Sequence, residues 1–366
     1  MNEIKSNQRI WQVSFLKGIA IIMVVLVHSA QPFKVHGLEF MQMGCQIFFV
    51  LSGFTLALSY DKHYTNYKSF LQHRYIRLLP GYAMTICLGG IVSGISILLF
   101  NKNISGIDIN LVDIIINLIM IHGLFPTNAN NHVVRGGWFV GTIVLLYIIF
   151  PLLIKLFKNE NRDKLITNFS FVLLFIFINI VIALIIKVTL GYTIENNSYE
   201  YFSIVNQLPC FILGIVLYNL KDRINYNKKI LLLILFLLGI SIVIFYNECT
   251  FSFVLLPGIF SFFTIYLFIL LRKFPDNVSN NIVVKSISKI GEISFPIYLI
   301  HSFIVYDAIY FVKKAYNYIN KGGNTLILYL ILLPFIFISV VLAGYIYNEI
   351  INNISEFILK KTCESK

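Results

Sequence analysis

Runs of roughly 20 apolar residues recur along this chain, each long enough to cross the hydrocarbon layer as a helix. They fall near residues 11–30, 40–60, 80–100, 138–155, 169–188, 202–219, 230–246, 251–271, 292–312 and 325–347. Several contain Gly or Pro, which membrane helices tolerate where neighbours re-satisfy the backbone. One further apolar stretch, Leu111–Leu124, is too short to span comfortably. It holds His122, is led by Asp108 and Asp113, and predicts a re-entrant or interfacial segment. The polar stretches Gly191–Tyr201 and Pro275–Ser288 read as ordinary loops. There is no internal repeat at a fixed period and no low-complexity linker. The pattern predicts an all-α polytopic membrane protein, with about ten transmembrane helices plus the short segment, in a single integral-membrane domain over residues 1–366.

Composition agrees with that reading. Of 366 residues, 58% are hydrophobic and 13% charged, against roughly 25% charged in an average soluble domain; the mean hydropathy is +0.80. The net charge of +12 is explained by its distribution. With ten spans and a cytoplasmic N-terminus, the outer side carries Lys34, Lys102, Arg135, Lys187, Lys313, Lys314 and Lys321, while Lys17 lies within a span. The other 21 of the 29 basic residues fall inside, as the positive-inside rule requires. Counting Leu111–Leu124 as a full span would destroy this asymmetry. The expected location is therefore the cell membrane, multi-pass, with both termini cytoplasmic; the charge gives no reason to invoke nucleic acid. The first apolar stretch does not read as a cleaved signal, because a cut after Ala30 would put His28 where a small residue belongs and Lys17 interrupts the apolar run. The five cysteines (Cys45, Cys87, Cys210, Cys249 and Cys363) show no CxxC spacing, so neither a metal site nor a disulfide framework is expected.

Candidate chemistry starts with Lys17 and His28, eleven residues apart in the first span. That separation is three turns plus roughly 20°, so both project from one helix face, roughly 16 Å apart along the axis. Ionisable groups inside a span are costly and mark functional sites by default. The plainer alternative is a snorkelling Lys17 and an interfacial His28. In the second span, Phe48-Phe49-Val50-Leu51-Ser52-Gly53-Phe54 favours close helix packing at Ser-Gly over a nucleophilic serine, since no G-x-S-x-G elbow surrounds it. Arg74 and Arg77 precede Pro80; on a helix they share a face and can clamp phosphates, and equally they suit plain positive-inside residues. His301, about ten residues into the ninth span, is favoured as a structural or cavity-lining group over a catalytic one. Asp307, six residues further on, does not share its face on a regular helix and would cap the outer end.

Taken together and in order, these pieces resemble the integral-membrane acyltransferase 3 family, which O-acylates cell-surface sugars and related acceptors. The resemblance runs over nearly the whole chain. Its strongest element is Leu16-Lys17-Gly18-Ile19-Ala20 through His28, similar to the family's first-helix motif of a basic residue, ten residues and a histidine; Lys17 stands where Arg is usual. The Phe-Phe-Val-Leu-Ser-Gly-Phe stretch, Arg74-x-x-Arg77 before Leu78-Leu79-Pro80, Trp138…Tyr147…Pro151, Leu208-Pro209-Cys210-Phe211…Gly214 and Tyr298-Leu299-Ile300-His301 also resemble family elements. Many members carry a Glu between the Trp and the Tyr, whereas Phe139 to Leu146 holds no carboxylate, which is more similar to small members acting on exopolysaccharides or lipid-linked sugars.

The resemblance implies an O-acetyltransferase-like enzyme with no bound cofactor. Acyl-CoA, acetyl-CoA foremost, would be the co-substrate and a surface polysaccharide or lipid-linked sugar in the cell envelope the acceptor. Arg74 and Arg77 would hold the donor phosphates and Lys17 its buried part. His28 would be the catalytic base, and a transient acyl-His is the other route. Ser52, Trp138, Tyr298 and His301 are candidate cavity-lining residues, with Ser52 and Trp138 also candidates to stabilise an oxyanion. The rival reading is a glycan or small-molecule transporter or flippase without acyl chemistry, in which Lys17 and His28 would be pathway residues; the lack of a repeat across the two halves counts against many transporter folds.

Overall fold

The computed structural model describes residues 10–63, 66–100, 110–125, 133–158, 162–190, 199–220, 228–246, 252–319 and 325–364. Helices stand at all ten expected stretches. In chain order they are α1 (Trp11–Ala30), α2 (Gly44–His63), α3 (Tyr67–Phe100), α4 (Leu111–Leu118), α5 (Trp138–Phe157), α6 (Arg162–Leu190), α7 (Tyr199–Phe202), α8 (Ile204–Leu220), α9 (Lys228–Tyr246), α10 (Ser252–Leu271), α11 (Ile282–Glu292), α12 (Ser294–Ser302), α13 (Ile309–Ile319) and α14 (Thr325–Glu364). A π-helical turn, Phe303–Ala308, joins α12 to α13. There is no strand among the described residues.

Six helical segments among the described residues are long and apolar enough to cross a membrane unaided: Trp11–Phe33, Glu39–Tyr60, Tyr67–Leu99, Trp138–Phe157, Ser294–Lys314 and Thr325–Phe357. Shorter apolar helices lie at Ser170–Ile182, Ile204–Leu220 and Pro257–Leu271. The outer shell is apolar too. Leu98, Val188 and Phe335 are 85%, 82% and 65% exposed, a surface that suits acyl chains rather than water. The protein is an all-α polytopic membrane protein.

Three expectations change in detail. Arg74 and Arg77, which fall between the apolar runs 40–60 and 80–100, stand on helix, because α3 starts at Tyr67, where Asn66 Oδ1 caps it by accepting from Ser69 N at 2.8 Å, and continues through Pro80. Pro275–Ser288 is not a loop: a 3₁₀ turn at Asp276–Asn280 leads into α11, whose Asn281 side chain accepts from Val283 N at 2.9 Å. Its apolar positions Val284, Ile287 and Ile290 recur at helical spacing between Ser and Lys, an amphipathic pattern that mean polarity hides. Residues 191–198 of the other expected loop lie outside the described residues, and Tyr199–Phe202 is the short helix α7.

Leu111–Leu124 holds one eight-residue helix, α4, then reverses at Met120 with φ of 57° and continues as a 3₁₀ turn at His122–Leu124. Eight residues rise about 12 Å, short of a crossing; Asp108 lies outside the described residues. The segment wedges between α3 and α5. Tyr82 donates to Asn117 Oδ1 (2.7 Å), Tyr75 to the Leu118 carbonyl (2.6 Å), and His122 Nε2 to the Gly137 carbonyl (2.9 Å) while its ring stacks on Tyr82.

The interior is built on α1, α2, α8 and α12. Two glycine crossings hold it. Gly53 of α2 and Gly214 of α8 lie against each other's backbones, at Phe211 and Val50 respectively; Gly18 of α1 meets Ile287, and Gly291 of α11 meets Ser14. Small residues allow such approach where lipid supplies no hydrophobic drive between helices.

Candidate active site

The crossing of α1 with α11 places Lys17 beside the start of α12. There a cavity of about 350 Å³ opens between α1, α2, α3, α5, α12 and α14. Its charged wall is Lys17, Arg74, Arg77 and Glu292, with His73 beside them, and its hydroxyls include Ser52, Thr55, Tyr147 and Tyr298. Arg74 and Arg77, three residues apart on α3, therefore reach one space together with Lys17. Arg74 is half-buried, its guanidinium 5.7 Å from the Phe70 ring, and Arg77 is exposed. Three cations against one carboxylate make this cavity attractive to an anion. Among the described residues no group of His, Cys, Asp and Glu forms a metal site.

His28 lies at the other end of α1. Its ring is 5.2 Å from that of His301, and its Nδ1 is 2.7 Å from the Tyr306 hydroxyl. Tyr306 in turn donates to Gln31 Oε1, in the turn that follows α1. Arg135 sits 5.1 Å over the Tyr306 ring and pairs with Asp307 at 3.0 Å. Asp307 thus tethers the loop before α5 instead of capping a helix end. Buried His301 gives its Nδ1 hydrogen to the Tyr298 carbonyl at 2.6 Å.

One residue touches both the cavity and the histidine pair. Tyr298 lines the cavity, lies 5.7 Å from the His301 ring, and donates its hydroxyl to the Gly136 carbonyl. Of the four expected cavity residues, Ser52 and Tyr298 line it; His301 sits behind Tyr298, and Trp138 does not reach it. Trp138 is instead packed with Phe49, Phe139, Tyr201 and Phe202, the last at 5.0 Å. An indole buried among four aromatic rings belongs to the core. Sequence reasoning missed Tyr306, Gln31, Arg135, His73 and Glu292. Only Tyr306 carried a local signal, five residues beyond His301; contacts separated by 278 positions in the chain leave no periodicity to read.

The fold and site define a polytopic membrane protein with a cationic internal cavity and a histidine pair, His301 buried and His28 half-buried. The acyltransferase 3 family, described as an acyltransferase domain, matches residues 10–348. The chain belongs to this family and is a membrane acyltransferase, an enzyme that transfers acyl groups other than aminoacyl groups. No curated protein and no solved structure matches it.

Proposed function

We propose that the enzyme moves an acyl group, acetyl foremost, from cytoplasmic acyl-CoA to a hydroxyl of a surface polysaccharide or lipid-linked sugar, with His28 as general base. The carrying observation is the arrangement along α1: three cations at the Lys17 end, the His28–His301 pair at the other, and Tyr298 in touch with both the cavity and His301. The chain sits in the cell membrane with both termini cytoplasmic, so the cavity opens inward. Arg74 and Arg77 take the donor phosphates and Lys17 the buried part of the donor, and the thioester arm reaches past Tyr298. The acceptor oxygen attacks the thioester carbon, the C–S bond breaks, His28 takes the hydroxyl proton, and the thiolate leaves with CoA.

Tyr306 orients the base. Its single hydroxyl hydrogen goes to Gln31 Oε1, so its oxygen accepts from His28 Nδ1–H. The lone pair of the neutral imidazole is then on Nε2. Tyr306→Phe removes that acceptor. Its kcat should fall about tenfold, the value of one hydrogen bond expressed only in positioning, with KM for acyl-CoA unchanged. A rise in KM at constant kcat would assign Tyr306 to binding instead.

The donor site has its own test. Arg74→Ala or Arg77→Ala should weaken acyl-CoA binding by about tenfold or more, as loss of a charge-assisted contact does. Arg→Lys should also lose affinity at a bidentate site. Calorimetric titration of the purified variants with acetyl-CoA measures this; unchanged affinity in both Ala variants would return the pair to topology alone. The whole reading is tested by incubating purified protein with labelled acetyl-CoA: His28-dependent consumption of the thioester is expected, and its absence favours a transporter.

A further inference from the structure

Tyr306 and Gln31, the residues that hold His28, also belong to the wall of a second hollow of about 640 Å³. The rest of that wall is Arg135, Tyr310, Lys313 and Lys314, with Pro32. Among the described residues no carboxylate lines it, although Asp307 pairs with Arg135 at its edge. Lys313 is anchored, donating to the Pro32 carbonyl and lying 5.9 Å from the Phe33 ring, while Lys314 is exposed. Two tyrosines line it, Tyr306 half-buried with Arg135 over its ring and Tyr310 37% exposed. Three of the seven basic residues expected on the outer side therefore converge on the groove that touches the histidine's own partners. Outer segments are the ones depleted in such charge, so this concentration is not a by-product of topology.

We propose that this groove is the acceptor subsite and that it takes an anionic saccharide, whose carboxylate or phosphate is held by Lys313 and Lys314 while the sugar rings pack against the tyrosine wall of Tyr306 and Tyr310. The assignment rests on the reading of His28 as base. The anion comes either from the glycan itself, as a uronate, or from a lipid carrier, as a pyrophosphate; both present oxygen acceptors to the same donors. Arg135 is already paired with Asp307, so the charge left for a ligand is that of Lys313 and Lys314, which a neutral sugar would not answer.

Full-length protein in nanodiscs can be titrated with three probes: a hyaluronan tetrasaccharide, neutral chitotetraose, and a polyprenyl-pyrophosphate-linked neutral disaccharide. At least one anionic probe should bind about tenfold or more tighter than chitotetraose, and raising the ionic strength should erode the difference. Lys313→Gln with Lys314→Gln should erase the preference, and the corresponding Arg pair should keep it. Loss for the tetrasaccharide identifies the glycan as the source of the anion; loss for the pyrophosphate identifies the carrier. Should the double variant aggregate, Lys314→Gln alone decides, with about a threefold loss expected. Equal affinity for all three probes, no binding of any, or a preference that survives in the variants would overturn the assignment. His28→Ala separates the two readings, since it should keep the preference. Anion preference without thioester consumption leaves the groove assigned and removes the transfer reading; His28-dependent consumption without preference does the reverse.

Discussion

Replacing His28 by Ala should lower acyl transfer by about 10²–10⁴-fold, the usual contribution of a general base, with expression and acetyl-CoA binding intact. The separation along α1 motivates the second half of that expectation: Lys17, Arg74 and Arg77 line the cavity, whereas His28 is held by Tyr306 and faces His301. His28→Gln should not rescue, because an amide can hydrogen-bond to Tyr306 but cannot take the proton. Lys17→Arg should retain activity, since it keeps the charge and adds the fork geometry usual at that position in the family. Transfer of label from acetyl-CoA by each purified variant gives the comparison. Near-normal turnover in His28→Ala would refute the assignment and make His301 the next candidate.

The largest expected effect on stability is at the crossing of α2 with α8. A Cβ on Gly214 would meet the Val50 carbonyl oxygen, and one on Gly53 the Phe211 carbonyl oxygen. Both neighbours are backbone, so neither can swing aside as a side chain would. Gly214→Ala or Gly53→Ala should cost about 3 kcal/mol or more, at the upper end of overpacking changes, and should appear as a lower melting temperature or as aggregated protein on size exclusion. Gly94→Ala is the internal control. It is also helical, but nothing lies within 4 Å of its Cβ position, so Ala should be neutral or slightly stabilising there. Equal melting temperatures for Gly214→Ala and Gly94→Ala would mean that the two helices do not cross as closely as described.

Apolar run length located all ten helical stretches, because a helix in lipid must satisfy its own backbone and so writes its length into composition. It did not mark where helices continue past the apolar part. The first turns of α3 are polar and carry Arg74 and Arg77, and α14 runs on to Glu364 beyond the stretch expected to end near 347. The Lys17–His28 spacing was legible because it lies within one helix. What assembles around it was not. Tyr306 comes from the π-helical turn Phe303–Ala308, whose extra residue per turn changes the phase of everything after it by up to about 100°. That is why Asp307, expected to cap a helix end, pairs with Arg135. Nor does sequence distinguish a tryptophan that lines a cavity from one enclosed by aromatic neighbours, as Trp138 is.

The placement of Tyr298 also bears on the energetics of the membrane itself. The cavity of Arg74 and the groove of Lys313 share no lining residue; the ring of Tyr298, pinned to Gly136, lines the first of them and lies 5.7 Å from that of His301. A water-filled passage joining them would conduct ions, dissipating about 2.3 kcal/mol per charge for each 100 mV of membrane potential. On the proposed reading, that ring would have to let an acyl group by while holding back protons and cations. A catalyst that worked in this way would couple chemistry on two faces of a bilayer and leave the electrochemical gradient across it undisturbed.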